Sequence, residues 1–148
     1  MRRVVVINSK GGCGKTTIAS SLAAYYASSG RATALLDYDP QGSSMAWLEQ
    51  RGADRVPIHG VRAAGGSAAV TRTFRLSVPP ETERVVVDTP ASLKRMELVD
   101  LIRGAAAILI PVLPSGIDQH VTAAFVGELE TAARQAAHGV PVGLVANR

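Results

Sequence analysis

At 148 residues, the chain is long enough for one α/β domain with a real core and too short for two. Hydrophobic residues make up 47% of it but aromatics only 4%, which predicts a core of Val, Ile, Leu and Ala, as in buried parallel strands, and disfavours an all-β sandwich. The net charge of +4 fits a polyanionic partner such as DNA or an anionic membrane. No apolar run reaches the roughly 18 residues of a membrane span, and Met1-Arg2-Arg3 leads into a strand-like run without a cleavable signal pattern. The single cysteine, Cys13, excludes an internal disulfide or a CxxC site, so a cytoplasmic protein is expected.

In chain order, Val4 to Asn8 is a β-branched run ending in a Gly-rich turn, and Thr16 to Ser29 is a helix stopped by Gly30. Ala32 to Asp37 reads as the next strand, Tyr38 to Gly42 as loop, and Ser43 to Arg51 as a short helix. Between Gly52 and Pro80, Val56 to Val61 suggests a strand, and Ser67 is placed to cap a helix through Leu76. Strand Arg84 to Asp88 follows, then an amphipathic helix at Met96 to Arg103, an apolar strand at Ala105 to Val112, a long helix at Asp118 to Ala137, and a last strand at Val140 to Ala146. This alternation predicts an α/β fold, a mostly parallel doubly wound sheet with helices on both faces.

The chemistry concentrates in Lys10-Gly11-Gly12-Cys13-Gly14-Lys15-Thr16-Thr17, set between a predicted strand and a predicted helix. Glycines at 11, 12 and 14 let the backbone curl until several N–H groups face an anion, and the following helix adds its positive dipole end. Lys15 then reaches the β- and γ-phosphates of a nucleotide, Thr16 offers its hydroxyl to Mg²⁺, and Thr17 supports the α-phosphate. The usual first glycine of such a loop would fall at Ser9, and a second lysine stands at residue 10. The chain's other lysine is Lys94, so two of three lie in this short stretch. KGGxGKTT resembles the deviant Walker A of the ParA/MinD family of P-loop NTPases. That resemblance implies that Lys10 reaches across a dimer interface to the neighbouring subunit's phosphates. Cys13 occupies the motif's variable position.

Asp37-Tyr38-Asp39-Pro40-Gln41-Gly42 resembles the family's DxDPQG segment, which implies that Asp37 holds a Mg²⁺-bound water and that Asp39 positions the attacking water. Tyr38 is larger than that role needs. Val85-Val86-Val87-Asp88 reads as a Walker B strand whose Asp lies at the carboxyl edge, where ligands bind in such sheets. Asp88 is expected to accept from Mg²⁺-bound water or from Thr16. Where the family often has a glycine next, this chain has Thr89-Pro90-Ala91-Ser92. Asn147 matches a family position that contacts adenine. His59, His120 and His138 show no metal-ligand spacing.

The resemblance is closest to short partition proteins and runs through almost the whole chain, which is expected to lack the family's C-terminal elements. It implies a bacterial ATP hydrolase that uses ATP and Mg²⁺. Two copies close face to face with ATP sandwiched at the interface, bind non-specific DNA of the nucleoid, and let go when a ParB-type adaptor on the cargo stimulates hydrolysis. Plasmid, chromosome or a protein body is thereby positioned. The alternative is a MinD-like membrane-associated regulator of division placement, although a membrane is not the expected partner. A metabolic phosphotransfer enzyme is disfavoured by Lys10 and the DPQ segment, and a non-hydrolysing scaffold by Asp39. Arg51, Arg55, Arg62, Arg72 and Arg75 make a basic stretch that is either a DNA contact or a solvated face.

Overall fold

The computed structural model of the protein describes residues 1–63, 78–136 and 139–147. Strands β1 (Arg2–Val6), β2 (Thr33–Asp37), β3 (His59–Arg62), β4 (Arg84–Asp88), β5 (Ala107–Val112) and β6 (Val142–Ala146) form one sheet in the order β3-β2-β4-β1-β5-β6. Every pairing is parallel. Chain direction explains the site's location: from central β1 the chain leaves to one side for β2, β3 and β4 and crosses to the other for β5 and β6. The crevice where the direction reverses lies at the carboxyl end of β1, where the glycine-rich loop begins.

Helices α1 (Lys15–Ser28) and α2 (Ser43–Glu49) cover one face, and α3 (Arg95–Ile102) and α4 (Gly116–Gln135) the other. Strand alternation sorts the core accordingly. Val6, Leu35 and Val86 meet Ala19, Ala23 and Met45 beneath α1 and α2. Val5, Ile7, Leu36, Val87, Ile108 and Ile110 meet Leu98, Leu101, Phe125 and Leu129 beneath α3 and α4. Strands buried on both faces read as continuous apolar runs, as RVVVD does. Helix α4 buries the stripe Asp118, Thr122, Phe125, Leu129 and Ala132, so Ala132 and the partly buried Ala133 serve packing while Ala123 and Ala124 face outward.

The observed elements differ from the expected ones at their ends. β1 starts at Arg2, which pairs with Arg84 and donates its amide to the Glu83 carbonyl at 2.8 Å, and the charged Arg3 side chain is buried by donating to the carbonyls of Leu101 and Arg103 at the end of α3. β3 begins at His59, shifted from the expected 56–61, since Pro57 has no N–H for a ladder and pairing with β2 starts at Ala34 opposite His59. α4 begins at Gly116, where Ser115 caps it by accepting from the Asp118 amide at 3.4 Å. Tyr38 now has an account: it packs half-buried against the core beneath α3 and α4. The helix expected from Ser67 to Leu76 lies outside the described residues.

Truncation at the two ends of the exposure range should separate core from surface. Ile110→Ala, at a fully buried position, is expected to cost about 2–5 kcal/mol of unfolding free energy, read as a lower urea midpoint at unchanged slope. Ile117→Ala, at a side chain 75% exposed, should stay within about 0.5 kcal/mol of the parent.

Candidate nucleotide-binding site

The loop after β1 is anchored before it curls. Thr89 Oγ1 donates to the Val6 carbonyl at 2.9 Å. Buried Asn8 donates through Nδ2 to Pro111 O at 2.8 Å and to Thr122 Oγ1 at 3.1 Å, while its Oδ1 accepts from the Lys10 amide at 3.1 Å. One side chain thus ties β5, α4 and the loop together. Gly12 and Gly14 then take positive φ values of 73° and 90°, which the turn requires and which side chains other than glycine rarely adopt. Gly14 is also closely covered: a Cβ there would stand 2.0 Å from Asn147 Nδ2.

Inside this curl, Lys15 is only 7% exposed, and its ammonium donates to the Lys10 carbonyl at 3.0 Å. Among the described residues no carboxylate lies within ion-pair distance of it. A buried cation with one neutral acceptor is unfavourable until an anion arrives. The amides opening α1 reinforce that preference, since no side chain caps them and the helix dipole points its positive end at the same space. Cys13 is buried and donates its thiol to Lys10 O at 3.2 Å, a packing role.

Facing the loop are two buried carboxylates on adjacent strands, Asp37 ending β2 and Asp88 ending β4, paired in register. Burial pushes the pKa of each above the ordinary carboxylate value; the charges of Asp37 and Asp39 raise Asp88 further, and that of Asp39 raises Asp37. The Asp37 carboxylate accepts from the amides of Asp39 at 3.0 Å and Met45 at 3.2 Å. Asp88 Oδ2 accepts from Ser44 Oγ at 2.5 Å, and the Thr16 hydroxyl is a further hydrogen-bonding influence lowering the Asp88 pKa. Asp88 Oδ1 is buried and lacks a hydrogen-bond partner among the described residues. An orphaned carboxylate oxygen beside a threonine hydroxyl and a second carboxylate is a hard oxygen set that fits Mg²⁺. Among the described residues no group of three or more His, Cys, Asp or Glu forms a self-contained metal site, so such a cation would also take phosphate and water oxygens.

Of the remaining predicted residues, Gly11 and Thr17 are exposed on the loop and first helical turn. Asp39 is half-buried and accepts the Gln41 amide at 2.9 Å, standing just outside the buried pair. Lys10 is 37% exposed and its ammonium lies 3.0 Å from Asp118 Oδ1, so in this structure it is held by its own chain. The Lys10 ammonium, followed by the Ser115 hydroxyl, holds the Asp118 pKa below the usual carboxylate value. The Asn147 amide donates to Cys13 O at 3.0 Å, putting that residue against the loop backbone.

Of the basic stretch, Arg51 lies over Trp47 and donates to Val56 O, Arg55 is near Asp54, and the Arg62 guanidinium lies over Gly42. Arg72 and Arg75 lie outside the described residues. Asn8, Ser44, Asp118 and Thr122 went unrecognised in the sequence, where only the place of Asn8 just before the loop hinted at a role.

Over residues 4–148 the chain matches the family described as CobQ/CobB/MinD/ParA nucleotide binding domain. The protein belongs to this nucleotide-binding family. It is 35% identical to the maintenance of carboxysome distribution protein A of Halothiobacillus neapolitanus, over 87% of this chain and 58% of that one. It is 30% identical to the chromosome-partitioning ATPase Soj of Thermus thermophilus, over 76% of this chain and 55% of that one. The chain therefore spans little more than half the length of these curated relatives. Its fold matches a plasmid partition protein from Borrelia burgdorferi bound to AMPPNP, with a TM-score of 0.74 at 16% identity, covering 99% of this chain and 78% of that one. Among the described residues no helix is long and apolar enough to cross a membrane.

Gly14→Ala should collide with Asn147 while forcing a strained φ, and is expected to abolish nucleotide binding in a fluorescent-nucleotide titration while the far-ultraviolet circular dichroism spectrum is kept. The ion pair predicts a pH dependence. Because the folded pKa of Asp118 is depressed, its stabilising contribution is fully present above the unfolded value of about 3.9 and is lost as pH falls through the lower folded value. The unfolding free-energy difference between the parent and Asp118→Asn should therefore be constant from neutrality to about pH 5 and shrink below about pH 4.

Proposed function

We propose that the protein is a ParA-type ATPase that positions a large cargo through an ATP-dependent switch. The observation that carries this reading is the buried, uncompensated Lys15 ammonium facing the buried pair Asp37 and Asp88, because a Mg²⁺–triphosphate satisfies both at once. The names of the two curated relatives, one concerned with carboxysome distribution and one with chromosome partitioning, support the positioning role.

In the hydrolysis of ATP to ADP and phosphate, the Gly11–Gly14 amides and Lys15 bind the phosphates, and Thr17 supports the α-phosphate. Thr16 would hold Mg²⁺ directly, with Asp37 and Asp88 gripping its water ligands, and the ion would neutralise charge building on the phosphate oxygens. Asp39 orients the attacking water from the loop above Asp37. Asn147, lying against the loop, borders the base. Lys10 leaves Asp118 to reach the phosphates of a second copy, giving a homodimer with ATP at its interface. Two large apolar side chains on the helices opening toward that edge, Met96 and Ile117, are 76% and 75% exposed and suit such a partner. The closed dimer binds nucleoid DNA non-specifically in the cytoplasm and is released by a ParB-type adaptor carrying the cargo.

The test is DNA retention and dimer sizing of the intact protein with ADP and with ATP plus Mg²⁺ at two salt concentrations. ATP should produce a DNA-bound dimer that weakens steeply with salt. Lys15→Gln should lose nucleotide and dimer, Lys10→Ala should bind nucleotide without dimerising, and Asp39→Ala should prolong the DNA-bound state. An ATP-dependent dimer that ignores DNA and binds anionic vesicles would overturn the partition reading in favour of a membrane regulator.

A further inference from the structure

Between the buried carboxylates and the Asp39–Gly42 loop stands a residue that none of the sequence motifs includes. Ser44 is fully buried in the first turn of α2 and donates its hydroxyl to Asp88 Oδ2, 44 positions away in sequence. The next residue, Met45, donates its amide to Asp37 Oδ2, and the Ser44 amide also acts on the Asp37 carboxylate. One short helix therefore holds both acidic groups, one by a side chain and the other by its backbone. Gly42, the last residue of the loop carrying Asp39, is the N-cap of that helix, and its amide donates to the Asp39 carbonyl at 2.9 Å.

A serine hydroxyl is costly to bury unless it is bonded, and here its acceptor is a carboxylate with two oxygens. Engaging Oδ2 leaves Oδ1 as the buried atom without a partner among the described residues, on a carboxylate that the Thr16 hydroxyl also influences. The geometry points to Ser44 as a positioning residue for the nucleotide's cation: it fixes the rotation of the Asp88 carboxylate so that Oδ1 is reserved for Mg²⁺-bound water. It also couples that carboxylate to the Asp39 loop through α2. This inference rests on the reading of the site as a Mg²⁺–ATP site. Groups that orient a metal's ligands typically contribute 10- to 100-fold to metal affinity when removed.

The experiment measures binding of a non-hydrolysable ATP analogue to the intact protein by equilibrium titration, once with Mg²⁺ and once with EDTA. The parent is compared with Ser44→Ala and with Ser44→Cys, which keeps the volume but is a poor donor. Thermal melting confirms that each variant is folded. Binding in EDTA, which depends on Lys15 and the glycine loop, should be unchanged in both variants. The gain in affinity brought by Mg²⁺ should fall about 10-fold or more in both, and the half-saturating Mg²⁺ concentration should rise to match. Equal losses with and without Mg²⁺ would mean that Ser44 only supports the fold, and a Cys variant indistinguishable from the parent would mean that volume rather than the hydrogen bond matters; either overturns the proposal. If the parent gains nothing from Mg²⁺, the Mg²⁺–ATP reading itself falls, a result separate from any behaviour of the variants.

Discussion

Parallel pairing of β2 with β4 puts Asp37 directly beside Asp88 at the carboxyl edge of the sheet, with both buried. Like charges facing one another on adjacent strands repel, and burial removes the water that would screen them. Much of the surrounding structure answers that conflict. Backbone amides at Asp39 and Met45 satisfy one carboxylate, the Ser44 and Thr16 hydroxyls ease the other, and the ammonium of Lys15 and the positive end of α1 face them from the neighbouring strand's loop. What stays uncompensated on each side, a buried ammonium on one and a carboxylate oxygen on the other, has opposite charge. A nucleotide with its cation is the ligand proposed to supply the two missing partners at once.

The loop itself depends on anchors outside its motif. Glycine permits the curl but does not dictate where it points, and Asn8 supplies that direction by bonding β5, α4 and the Lys10 amide together. Removing such a buried side chain leaves several polar groups unsatisfied at once, a cost that falls on both the sheet and the site. The nucleotide loop and the α4 face are therefore mechanically one unit.

Lys10 marks the point where that unit meets the outside. Its pairing with Asp118 neutralises it within its own chain, yet more than a third of the side chain is open to water, so leaving Asp118 needs no unfolding. A partially exposed ion pair contributes little to stability, which makes it an exchangeable contact, as the proposed reach of Lys10 to a second copy requires.

The sequence by itself determined the alternation of strands and helices, the phosphate loop, and the order of the acidic segments, because these depend on local spacing: an apolar run, then glycines, then a helix, or an aspartate ending a valine strand. It also determined family membership, through Lys10 and the DPQG segment. Only the tertiary structure decided that Asp37 sits beside Asp88, that Ser44 reaches Asp88, that Asn8 stakes the loop to Pro111 and Thr122, and that Asp118 holds Lys10. Those contacts join residues tens to more than a hundred positions apart and follow from strand order and register. Parallel strands joined by crossovers can be stacked in many orders without changing the local pattern. The packing of Tyr38 and the start of β3 at His59 were hidden for the same reason: each is settled by what a neighbouring strand or helix offers.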